Sequence, residues 1–199
     1  MRKLSGLWAL CFAVLMTSAL HAQRADAEFG LNAIHSTSVN NFDFTQTDHS
    51  PQSLSGGIYP SIGADFIVWH NLGVGGEVSW KGGRGLYQNT APYRPILYDI
   101  NAVYSRKISR FGFAAMAGIG AESIRFYQNF FNCNGFGQCT NYVSSNHFLG
   151  HIGGELRYYV FGPVFVAPEA HVYFIRNNLE FTSGTATRYG VNIGFTFGR

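Results

Sequence analysis

The residues from 188 to 197 alternate without a break. Tyr189, Val191, Ile193, Phe195 and Phe197 are apolar or aromatic. Arg188, Gly190, Asn192, Gly194 and Thr196, between them, are polar or small. A period of two places successive side chains on opposite faces of an extended strand. Other segments repeat the pattern. Leu72, Val74, Val78 and Trp80 oppose Gly73, Gly75, Glu77, Ser79 and Lys81. Tyr98, Ile100, Ala102 and Tyr104 oppose Asp99, Asn101 and the apolar Val103. Phe111, Phe113, Ala115, Ala117, Ile119 and Ala121 oppose Gly112, Ala114, Gly118, Gly120 and Glu122. Phe148, Ile152, Leu156, Tyr158 and Val160 oppose His151, Gly153, Glu155, Arg157 and Tyr159. Val164, Val166, Ala170, Val172 and Phe174 oppose Ala167, Glu169, His171 and Tyr173, and Ile58, Ile62, Phe66 and Val68 oppose Ser61, Gly63 and Asp65. A weaker alternation at 29–39 supplies a first strand, inferred mainly because an even strand number is expected.

The connections have a rhythm of their own. Tight turns, with Asn, Gly and Pro where turn chemistry wants them, fall at 70–71, 107–110 and 162–163. Longer polar connections fall at about 40–54, 82–92, 127–146 and 176–184. Short and long alternate strictly. That gives eight strands with both chain ends on the short-turn side. Each segment supplies the roughly 9–11 residues that a tilted strand needs to cross a bilayer. Aromatics gather near segment ends, at Trp80, Tyr104, Phe111, Phe148, Phe174, Tyr189 and Phe197, as at the two interfaces of a membrane. A soluble barrel would carry more surface charge. Here 13% of residues are charged, against about 25% in ordinary soluble domains.

The N-terminus reads as an export signal. Arg2 and Lys3 precede an apolar run at 7–15, and the small residues of Ser18-Ala19-Leu20-His21-Ala22 follow. The run is too short for a spanning helix, which needs about 20 apolar residues. Leu10 before Cys11 is too bulky for a lipoprotein signal. The expected division is a signal peptide at 1–22 and a barrel domain at 23–199. Cys133 and Cys139 then remain, and in an exported chain they read as one disulfide in a long loop. Without nearby His or a second pair they make a poor metal site. A bridge this short stabilises by about 2–3 kcal/mol. The net charge of +3 is spread without a basic run, which excludes nucleic acid as a partner.

On this pattern the chain resembles the eight-stranded outer-membrane barrels typified by the OmpA transmembrane domain, over about 27–199. One motif is more specific. Proteins inserted by the bacterial barrel-assembly machinery carry a C-terminal signal: polar, any, Gly, any two, hydrophobic, any, hydrophobic. Arg188, Gly190, Ile193 and Phe195 fit it, with Phe197 two residues on. Gly198-Arg199 follow where the family often ends on Phe. The resemblance implies an all-β, antiparallel up-and-down transmembrane barrel in a bacterial outer membrane. It implies a monomer in contact with outer-membrane lipid, with the assembly machinery as a partner during insertion. Any ligand of the loops is unknown.

The inward face holds Glu77, Asp99, Glu122, Glu155, Arg157, Glu169 and His171. An eight-strand interior is just wide enough to be filled by side chains, and charges inside it need partners. Arg157, Lys81 and Arg125 are the candidate counter-charges. A packed polar network and a narrow ion path both stay open on these residues. Gly73-x-Gly75-Gly76 and Gly118-x-Gly120 lack the following helix of a dinucleotide loop. A lipid-modifying hydrolase would need a nucleophilic Ser beside a His. His35-Ser36 and Ser144-Ser145-Asn146-His147 are the candidates. Neither matches a known motif, and His35 and Ser36, being adjacent on a strand, would face opposite ways. The expectation is therefore no catalytic site, no cofactor and no metal.

Overall fold

The computed structural model describes residues 24–36, 54–87, 91–135, 137, 139–178, 181 and 184–198. The expected export signal and most of the connection at 40–54 lie outside the described residues. The strands are β1 (Arg24–Ser36), β2 (Tyr59–Trp69), β3 (Leu72–Trp80), β4 (Gly85–Tyr87), β5 (Ala91–Ile108), β6 (Phe111–Cys133), β7 (Cys139–Phe161), β8 (Val164–Ile175) and β9 (Thr185–Gly198). β1 pairs with both β2 and β9, and β3 pairs with β5, so the sheet closes on itself. Every pairing is antiparallel. β4 resumes the line of β3 along β5: Trp80 faces Ile96, and Gly85 faces Tyr93. The ring therefore has eight positions, and closure removes the unpaired edges of an open sheet.

Closure also divides the side chains into two populations. Phe29, Leu31, Ile62, Val74, Ile100, Ile119, Ile152, Leu156, Val191 and Ile193 all face outward and are exposed, Ile100 to 71%. Each buried Å² of such surface is worth about 25 cal/mol, and soluble monomers rarely leave more than a few hundred Å² of it contiguous. The wall suits an apolar surrounding.

The tight turns are two residues long, at His70–Asn71, Ser109–Arg110 and Gly162–Pro163. His70, Ser109 and Gly162 take positive φ of 53°, 58° and 53°, which matches the twist of the flanking strands. The turn expected at 107–110 is shorter than its sequence suggested, because β5 runs on to Ile108.

Two further expectations change. The loop expected at 127–146 is mostly sheet. β6 and β7 are each 23 residues long, far more than a bilayer needs. They continue as a hairpin in which Tyr127 faces Tyr142 and Cys133 faces Cys139, with a bulge between. The Asn and Ser residues there suggested a loop, but the interleaved Phe, Tyr, Val and Thr fit a pleated surface. β1 starts earlier than 29 and alternates strictly. Half of its outward face is alanine (Ala25, Ala27 and Ala33), and Arg24, Asp26 and Glu28 point inward, which disguised it.

The lumen is filled in layers. Ile34, Leu54, Tyr59, Tyr93, Leu97, Ile124, Leu149, Tyr173, Ile175, Phe181 and Ala186 form an apolar cluster at the end where the long connections lie. Ile67, Val103 and Ala114, with Tyr159, Phe165 and Ala167, close the end of the tight turns. Charged side chains occupy the middle. Glycines make room for them: a Cβ on Gly118 would sit 2.0 Å from Asn101 Oδ1, and one on Gly153 would sit 2.3 Å from His171 Nδ1.

Candidate functional site

Arg157 on β7 is the centre of one polar cluster and is 1% exposed. Its Nε donates to Glu155 and its Nη1 to Asp26. Its Nη2 donates to Glu28 at 2.7 Å and to Asp65 at 3.1 Å. The guanidinium lies over the Phe165 ring, 4.8 Å from its centroid. Arg24 reinforces the group through Asp26, at 3.1 Å, and through Ser105. Residues 131 positions apart meet here because β1 closes the ring.

Arg188 on β9 is the centre of a second cluster. Its Nη2 donates to Glu77 at 2.6 Å and to Glu169 at 3.1 Å. Glu169 also accepts from Asn192 at 2.9 Å and lies 3.0 Å from His171 Nε2. His171 stacks on Tyr173 and approaches His151 at 3.4 Å between Nδ1 atoms. His151 Nε2 lies 3.6 Å from Asp99, which accepts from Asn101 at 2.9 Å. Asn192 also donates to Glu28, at 3.0 Å, and so joins the two clusters. A cavity of about 20 Å³ remains between them, lined by Glu28, Asp65, Glu77, Asn101, Glu169 and Asn192 among others. It has room for about one water.

Carboxylates outnumber guanidiniums in this layer. Asp26, Glu28, Asp65, Glu77, Asp99, Glu155 and Glu169 gather around Arg24, Arg157 and Arg188. Burying the excess charge is costly unless protons or a cation balance it. Two trios, Glu28/Asp65/Glu155 and Glu77/Glu169/His171, have ligand atoms within 4.8 Å of one another. In both, carboxylate oxygens also accept hydrogen bonds from an arginine, Arg157 in the first trio and Arg188 in the second.

Glu77, Asp99, Glu155, Arg157, Glu169 and His171 thus meet in the middle layer. Glu122 does not join them. It is fully buried midway along β6, directly across the ladder from His147. The second counter-charge is Arg188, which sequence reading placed only in the assembly motif. Lys81 Nζ instead donates to the Tyr93 hydroxyl at 3.4 Å, and Arg125 lies over the Tyr142 ring. Asp26, Glu28, Asp65 and His151 complete the clusters and were not singled out from the sequence. The period-two polar run Arg24-x-Asp26-x-Glu28 was the signal for the first two. Of the assembly motif, Arg188 and Gly190 face inward, and Ile193, Phe195 and Phe197 face outward on β9, beside β1. Cys133 and Cys139 are bonded at the tip of the β6–β7 hairpin. His35 and Ser36 point to opposite faces. Ser145 and His147 share the inward face of β7, and Ser145 Oγ lies 3.1 Å from His147 Nε2.

No protein-family model matches this chain, and no curated protein sequence does. Solved structures do. Neisserial surface protein A has a TM-score of 0.56 at 9% identity, covering 87% of this chain and 96% of that one. The attachment invasion locus protein Ail of Yersinia pestis has a TM-score of 0.55 at 10% identity, covering 88% and 99%. The N-terminal β-barrel domain of Pseudomonas aeruginosa OprF has a TM-score of 0.51 at 10% identity, covering 88% and 98%. The fold is that of the small outer-membrane β-barrels. At these identities the likeness lies in the barrel itself: the closed antiparallel ring, its up-and-down order and its apolar wall.

Proposed function

We propose that this chain is a bacterial outer-membrane protein with a structural or surface-interaction role exerted through its outer loops. The carrying observation is the continuous apolar wall of a closed ring, which lipid would cover. The tight turns and both chain ends would face the periplasm, and the β6–β7 hairpin would stand above the outer leaflet. The export signal at 1–22 and the motif on β9 support delivery to the barrel-assembly machinery. The surface character of neighbours such as Ail and Neisserial surface protein A supports a role at the cell surface.

The filled lumen favours an anchor over a channel. An ion crossing it would have to part Arg157 and Arg188 from their carboxylates and pass an apolar layer at either end. The protein would act as a monomer, since the ring leaves no unpaired edge.

Heat-modifiability tests the reading. Outer membranes carrying the protein are run on SDS gels with and without boiling. A mobility shift only on boiling supports a detergent-resistant barrel in that membrane. A heat-insensitive band in the soluble periplasmic fraction would refute it. Planar-bilayer recordings then decide the channel alternative, with no stable conductance steps expected.

A further inference from the structure

We propose that the cavity between the Arg157 and Arg188 clusters is a site for a divalent cation of the calcium type, built where the first and last strands of the ring meet. The cavity of about 20 Å³ is lined by Glu28 on β1, Ser61 and Asp65 on β2, Glu77 on β3, Glu169 on β8 and Asn192 on β9, among others. Those strands are consecutive around the ring, in the order β3-β2-β1-β9-β8. All six side chains offer oxygen, the donor that hard cations select.

Charge is the first argument. Four of these residues are carboxylates, and two guanidiniums face them: Arg157 bonds Glu28 and Asp65, and Arg188 bonds Glu77 and Glu169. Arg157 is shared further with Asp26 and Glu155. The carboxylates around the cavity therefore exceed the guanidiniums by two negative charges or more, and a divalent ion supplies two positive ones. Excess charge in a lumen closed by apolar layers needs a counter-charge in contact with it.

Unpartnered oxygens are the second argument. Glu77 accepts from Arg188 through Oε2, while its Oε1 is buried without a hydrogen-bond partner on a side chain only 10% exposed. Asn192 is 4% exposed, and its Oδ1 is likewise unpartnered. Turning the amide over would not help, because Nδ2 already donates to Glu28 and Glu169. That Oδ1 and Ser61 Oγ share the space in front of Gly30, where a Cβ would lie 2.1 Å from one and 2.4 Å from the other. A water could donate to these oxygens but brings no charge. A cation meets them and supplies the charge as well. Carboxylate oxygens that accept one N–H keep further lone pairs for it.

Size selects the ion. A cavity of about 20 Å³ leaves no space for the water shell that Mg²⁺ keeps. Ca²⁺ takes about 6–8 oxygens at roughly 2.3–2.6 Å in flexible geometry. Glu77 and Glu169 have oxygens within 4.8 Å of each other, and so do Glu28 and Asp65. Oxygens bound to one Ca²⁺ can be that far apart. Held there, the ion ties β1, β2 and β3 to β8 and β9 across the seam that closes the barrel. The site depends on the closed lumen and not on what covers the wall.

The test uses the full chain, unfolded in urea, stripped of metal and refolded into uncharged detergent micelles with EDTA or with calcium chloride. Metal content is read by mass spectrometry after desalting, and stability by urea midpoint. The expected result is about one calcium ion per chain. The midpoint should rise with calcium, by a constant step per tenfold increase once the site is filled. Glu77→Gln keeps an acceptor for Arg188 but replaces an oxygen with an N–H group, and should abolish both effects. Ser61→Ala leaves every charge in place and should weaken calcium binding in a folded barrel. Glu122→Gln, which removes a lumen carboxylate away from the cavity, should still bind calcium. An unboiled gel shift like the parent's shows that each protein is folded, which separates failure of the site from failure of the barrel. A folded parent with no calcium above the EDTA sample means that protons balance the carboxylates, and overturns the proposal. So does a Glu77→Gln protein that binds calcium like the parent, or a midpoint that sodium chloride of equal ionic strength raises as much.

Discussion

Replacing Arg157 with methionine keeps most of the side-chain volume and removes the charge that four carboxyl groups share. Asp26, Glu28, Asp65 and Glu155 all bond the guanidinium, and all are largely or fully buried. Breaking a buried ion pair from one side costs about 3–5 kcal/mol, because it strands the partner charge. Several partners are stranded here, so the upper half of that range applies. With a urea slope of about 2 kcal/mol per M, a loss of about 4 kcal/mol lowers the unfolding midpoint by roughly 2 M. The assay is urea equilibrium of the micelle-bound barrel, with the folded fraction read from unheated gel mobility. Two controls isolate the cause. Glu155→Gln added to the Arg157→Met background removes one stranded charge and should return part of the loss. Lys107→Met removes a rim charge that lies over Tyr159 and should change stability by no more than about 0.5 kcal/mol. An Arg157→Met midpoint within roughly 0.3 M of the parent would refute the reasoning. It would mean that protons or water already neutralise these carboxyl groups, leaving the arginine little to do.

Two further outcomes follow from single side chains. Lys81, just past the end of β3, has its ammonium pKa lowered from 10.5 by burial. Between that lowered value and 10.5 the unfolded chain binds more protons, so stability should rise with pH there. Lys81→Met should flatten the rise in urea midpoints measured toward pH 10, and an unchanged slope would exclude Lys81 as its source. Gly153→Ala would place a methyl group 2.3 Å from Nδ1 and 2.6 Å from Cγ of the buried His171 ring. It should cost about 1–3 kcal/mol by the same urea assay, whereas Gly150→Ala, whose nearest neighbour would be 3.8 Å away, should cost far less.

The outer wall was legible because an apolar surrounding would impose one rule on every strand. An outward residue that is not apolar is penalised whatever its neighbours, so period two survives in the sequence even at 10% identity to known barrels. The lumen follows no such rule. A carboxylate there needs a partner somewhere around the ring, and that partner is fixed by closure and register rather than by spacing. Arg157 meets Asp26 only because β1 returns to close the barrel. Arg188 was visible within a motif for assembly, and the same side chain that helps mark β9 also holds Glu77 and Glu169. Lys81 and Arg125 have the right charge but sit at the wrong height, beside Tyr93 and Tyr142. The hairpin beyond residue 127 was missed for a related reason. It rises above the level where lipid would enforce alternation, so its strands are held by cross-strand pairs such as Tyr127 with Tyr142 instead.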